Sequence, residues 1–180
     1  MRRTLFSFLP ILLVACSSGD DDAAASLAAY LDATDALHDV VDGHVQAVKG
    51  ASDLDTVGTL HADYADDFEH AMDELTHAME DLEGCDMGSE SMGMMDESWI
   101  HMGDMETDVA AHTALHDGHE DVADCHAEAD AHGAAMDERI DALVEHHGHW
   151  SDDEGLACGM HDDDEMGGHD DDDDMGAHDD

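Results

Sequence analysis

The chain has 180 residues, in which 49 Asp plus Glu face 4 Lys plus Arg, with 17 His, 13 Met, 4 Cys and one Pro. That is the length of one domain, and its formal charge of −45 repels phosphate, which excludes nucleic acid and an anionic membrane surface as partners. Two Trp, two Tyr and three Phe are too few to line a large apolar cleft, which argues against an enzyme.

The chain opens with a basic start, Arg2 and Arg3, and an apolar run from Leu9 to Ala15 interrupted by Pro10. The run is too short to span a bilayer and reads as an export signal over residues 1–15. Its end, Leu13-Val14-Ala15-Cys16, resembles the lipobox of bacterial lipoproteins. The resemblance implies cleavage before Cys16 and a diacylglyceryl group on its thiol. It also implies a cell-envelope address on a lipid anchor, with Ser17 fitting the outer-membrane sorting pattern. The mature chain would keep only Lys49 and Arg139 as bases, a net 2 − 49 = −47. Residues 16–25 form a short charged tether.

The body of the chain, residues 26–150, is periodic. Leu27, Leu31, Thr34, His38, Val41, Val45 and Val48 alternate four and three apart, the stripe of an amphipathic helix. Lys49-Gly50-Ala51 breaks it, and Ser52 is a fair N-cap for a second stripe of Val57, His61, Tyr64, Phe68, Met72, Leu75, Met79 and Leu82. Gly84 ends that helix, and the Gly/Ser/Met-rich stretch 84–97 reads as a loop. A third periodic segment carries Val109, Leu115, Val122 and Ala129, and continues past Gly133 through Met136, Ile140, Leu143 and Val144. Ala36-Leu37-His38-Asp39 recurs as Ala114-Leu115-His116-Asp117, and Cys85 with Met87 as Cys158 with Met160, which favours a turn at Gly133 and two similar α-hairpins. The expected fold is therefore all-α, an up-down four-helix bundle. The alternative is a three-helix bundle with one long third helix. The acidic stretch 151–180 is expected to be disordered.

Several residue sets could carry chemistry. His38 and His61 lie within the first two stripes at similar distances from Gly50, and His119 lies at a comparable distance before Gly133, flanked at heptad spacing by His112 and His126. One imidazole from each of three helices would make a tri-nitrogen site for Zn²⁺, Cu(II) or Ni²⁺. The competing reading is three histidines hydrogen-bonded inside a weakly hydrophobic bundle. A second set is Met87, Met92, Met94, Met95, Met102 and Met105, with His101 and Cys85 beside them, thioether and imidazole donors that suit Cu(I). The end of the chain repeats that chemistry with His161, Met166, His169, Met175 and His178. These stretches resemble, in composition, the Met/His-rich segments of bacterial envelope copper-handling proteins. With Cys16 lipidated, Cys85 and Cys158 can meet at one end of two parallel helices and form a disulfide, leaving Cys125 free.

No Ser-His-Asp order, Gly-rich phosphate loop, CxxC pair or HExxH occurs. The sequence therefore points to a non-enzymatic envelope lipoprotein that binds or buffers transition-metal ions, copper first, with the membrane and metal cations as its partners. The alternative is a structural or accessory lipoprotein whose acidity reflects a saline environment.

Overall fold

In the computed structural model, residues 20–115, 118–153 and 156–158 are described. They form four long helices and one short strand pair: α1 (Asp20–Gly50), α2 (Leu54–Glu83), β1 (Cys85–Asp86), α3 (Ser89–Leu115), α4 (Val122–Ser151) and β2 (Ala157–Cys158). Helix α1 packs on α2 and α4, and α3 packs on α4 and α2. This is the up-down four-helix bundle expected from two short-connected hairpins. No described helix is long and apolar enough to cross a membrane.

Local signals set the boundaries. Asp53 rather than Ser52 caps α2, its carboxylate accepting from the Thr56 backbone N–H at 2.8 Å. Asp121 caps α4 in the same way, accepting from Ala123 at 2.9 Å. Gly133 is not a turn; it lies inside α4, buried, where a Cβ would stand 2.8 Å from Val45 Cγ2. The glycine instead lets α1 and α4 approach closely. The hairpin turn falls between Leu115 and Val122.

The stretch 84–97 is not a loop either. Helix α3 starts at Ser89, and its inward positions Ser91, Met95, Ser98, Met102, Met105, Val109 and His112 alternate four and three apart like any core stripe. Methionine is a good helix former, so the run needs no leucine to fold as a helix. Met95, Met102 and Met105 are buried in the main hydrophobic core and Met87 and Met94 pack on its edge, while Met92 is exposed.

The far end of the bundle is sealed beyond α4. Cys85 and Asp86 pair with Cys158 and Ala157 as antiparallel strands, and a disulfide joins Cys85 to Cys158. Trp150 donates through Nε1 to the Ser91 carbonyl at 3.1 Å, and Tyr30 through its hydroxyl to Leu143 O at 3.2 Å. Residues 151–158, assigned above to a disordered tail, thus include the end of α4 and all of β2; residues 159–180 lie outside the described residues. Both cations among the described residues tie α4 to a neighbour, Lys49 to Asp130 at 2.7 Å and Arg139 to Asp108 at 2.6 Å.

Candidate metal centre

One polar layer cuts across the hydrophobic core. On each helix an imidazole takes a place in the core stripe: His44 between Val41 and Val48, His61 between Val57 and Tyr64, His112 after Val109, and His132 between Ala129 and Met136. All four are buried. On the side of the turns the layer is closed by a small apolar cluster, Val48, Val57, Cys125 and Ala129, and on the other side by the main core. Burying four imidazoles where leucine would pack is costly unless each is hydrogen-bonded or otherwise used.

Three of these rings converge. One ring nitrogen from each of His44, His61 and His112 lies within 4.8 Å of the other two. The Nε2 atoms of His44 and His112 are 3.0 Å apart, and the His61 ring centre lies 4.5 Å from that of His112 and 5.1 Å from that of His44. Two nitrogens on one tetrahedral zinc lie about 3.3 Å apart, given Zn–N bonds of about 2.05 Å. Small ring rotations would therefore bring the three donors around one ion.

The surroundings select which nitrogen points inward. Glu128 Oε1 lies 3.1 Å from His112 Nδ1, and its other oxygen contacts His119 Nε2. An ionised carboxylate only accepts, so Nδ1 of His112 carries the proton and Nε2 presents its lone pair to the cluster. This is the carboxylate–histidine arrangement that orients metal-ligating imidazoles. His132 has a different role. Its Nε2 is hydrogen-bonded to the Tyr64 hydroxyl at 3.0 Å, and its ring stacks flat on His112 at 4.1 Å. Tyr64 in turn stacks on His44 at 4.0 Å, so the layer is packed as well as polar.

Burial disfavours the charged form of three of these imidazoles, His44, His112 and His132. It pushes His44 down to about 3, with the neighbouring imidazoles His112, His61 and His132 adding to the effect. His132 is pushed down to about 4 for the same main reason, and His112 is lowered by burial against the opposing pull of Glu128. Neutral imidazole is the form that binds metal. The Tyr64 hydroxyl, raised by burial, stays protonated and remains a donor.

The sequence-derived candidates are divided by the structure. His61 and His112 belong to the centre. His38 does not; it lies on the surface 3.7 Å from Asp137, where with Asp42 it forms a separate exposed group of possible donors. His119 lies in the α3–α4 connection and reaches the layer only through Glu128. His126 Nε2 donates to the Ala51 carbonyl at 3.3 Å, and His101 stands 6.0 Å, ring to ring, from His146 on the other half of the bundle. Met95 and Met105 are ten positions apart on one helix, roughly 15 Å along its axis, so the methionines do not surround a common point. Cys16, His161, Met166, His169, Met175 and His178 lie outside the described residues.

His44, His132, Glu128 and Tyr64 were not singled out as donors or supports. One signal for His44 was present. Tyr30, Thr34, Leu37, Val41, His44 and Val48 also alternate four and three apart, a register that places an aromatic and a leucine inside. That face is the buried one; Leu27 and Leu31 lie only partly buried at its flank.

Comparison with known proteins finds no matching family model, no matching curated protein and no matching solved structure.

Proposed function

We propose that this chain is a non-enzymatic cell-envelope lipoprotein that binds or buffers a divalent transition-metal ion, with His44, His61 and His112 as its ligands. The observation that carries the reading is the convergence of three buried ring nitrogens from three helices, one of them backed by Glu128. Imidazole donors suit Zn²⁺, Cu(II) and Ni²⁺. The packing of Met95, Met102 and Met105 into the core removes the main support for a thioether Cu(I) loop at 84–97. The envelope address rests on the lipobox-like Leu13–Cys16 segment and accords with the Cys85–Cys158 disulfide, a bond that persists in oxidising compartments.

The test is a Zn²⁺ titration of the full chain against a chelator of known affinity, with His161, His169 and His178 replaced by Gln to silence the C-terminal donors. One tight site per chain is expected. His44→Gln, His61→Gln and His112→Gln should each weaken it at least about tenfold, as losing one of three ligands does, while His126→Gln leaves it unchanged. Equal affinity in all variants, each shown to be folded by circular dichroism, would remove the proposal.

A further inference from the structure

A surface groove borders the buried centre. Between α1 and α2 lies a groove of about 430 Å³ whose wall includes His44 and Tyr64, two residues of the polar layer, together with Gly43. Three carboxylates, Asp39, Asp63 and Asp67, line the same groove, and all three are exposed. His44 is 6% exposed, so the groove joins solvent to a ring that is otherwise enclosed. Gly43 contributes no side chain there, and a Cβ built on it would meet nothing within 4 Å.

From this geometry we infer that the Asp39/Asp63/Asp67 groove is the entrance through which a divalent cation reaches His44, an inference that rests on the metal reading above. Carboxylates at the rim of a cleft with low-dielectric walls concentrate cations and raise their rate of arrival. They are hard, weakly holding donors for a borderline ion, whereas the imidazoles behind them are the better ligands. The ion is therefore attracted at the rim and retained at the nitrogens. The charges act on the passage, so removing them slows arrival and departure together and leaves the final affinity nearly intact.

Stopped-flow loading with Co²⁺, followed by the visible absorbance that cobalt gains on nitrogen coordination, measures this in the full chain. At about 10 mM salt, where charges act over about 30 Å, the triple variant Asp39→Asn/Asp63→Asn/Asp67→Asn should load at least about tenfold more slowly than wild type. Its equilibrium affinity should change less than about threefold, and its rate deficit should shrink in molar salt. The control is Asp32→Asn/Asp73→Asn/Asp81→Asn, an equal charge change in a separate groove between the same two helices. If both triple variants slow loading equally, the overall charge is responsible and the entrance is refuted; unchanged loading in the first triple variant refutes it too. Loss of the metal site itself would show differently, as wild-type binding that survives replacement of His44, His61 and His112.

Discussion

His112 sits between two groups that fix its two nitrogens in different states. Glu128 accepts a hydrogen bond from the Nδ1–H and the His44 ring faces Nε2, so in the metal-free chain His44 supplies the proton shared between the two Nε2 atoms. Neutrality throughout the layer has a consequence for stability. His44, His112 and His132 all have proton affinities lowered by burial, so between about pH 6.5 and pH 4 the unfolded chain binds more protons than the folded one. The contribution of His44 and His132 is complete above about pH 6.5 and is lost as the pH falls toward about 3 and about 4 respectively, by up to about 1.4 kcal/mol per pH unit for each, and His112 acts in the same direction. In molar salt, which suppresses the opposing relief of carboxylate repulsion, the melting temperature of the metal-free chain should fall steadily from pH 7 to pH 5. A flat profile would mean that these rings are solvated and able to charge in the folded state.

At the level of the helix, α2 shows how much a sequence can reveal. Its eight expected inward residues, from Val57 to Leu82, are all buried, because a long run of apolar side chains at one period admits only one face. Helix α1 admits two faces one residue apart, since Thr34, Val41 and Val48 belong to both and small residues fill the rest. The choice between them is made by Tyr30 against Trp150 and by Leu37 in the core, contacts that depend on a helix far away in the chain. That rotation exchanges His38 for His44 in the buried layer. Helix α3 is obscured for another reason: Gly, Ser and Met read as a loop, although Ser91 and Ser98 sit in the stripe and are satisfied by partners far along the chain, Ser91 Oγ donating to Asp153 and Ser98 Oγ pairing with His146 Nδ1 at 2.7 Å. The core role of the methionines is testable. Met102→Ala and Met105→Ala should each cost about 2–5 kcal/mol in denaturant unfolding, and Met92→Ala, exposed, within about 0.5 kcal/mol. Equal small effects at all three would return the methionines to a solvent-facing, ligand-like role.

Over the whole molecule the chain has a net charge of −45, against which the described residues set two cross-links from cations, Lys49 to Asp130 and Arg139 to Asp108. Self-repulsion of this size favours expansion, and at about 0.1 M salt it is screened over about 10 Å. The melting temperature at pH 7 should therefore rise from millimolar to molar sodium chloride. A salt-independent melting curve would show that the carboxylates are spread widely enough to impose no folding constraint. The same surface attracts cations, and the histidine layer lies where the two helix turns, the apolar cap and the α1–α2 groove meet.

That centre is tested most directly by X-ray absorption at the zinc edge of the full chain loaded with one equivalent of Zn²⁺. Binding at His44, His61 and His112 predicts a first shell of nitrogen and oxygen at about 2.0–2.1 Å, with the outer-shell scattering of about three imidazoles and no sulfur at about 2.3 Å. A shell of oxygen alone, or one containing sulfur, would place the ion on the carboxylate surface or on a cysteine and contradict the account.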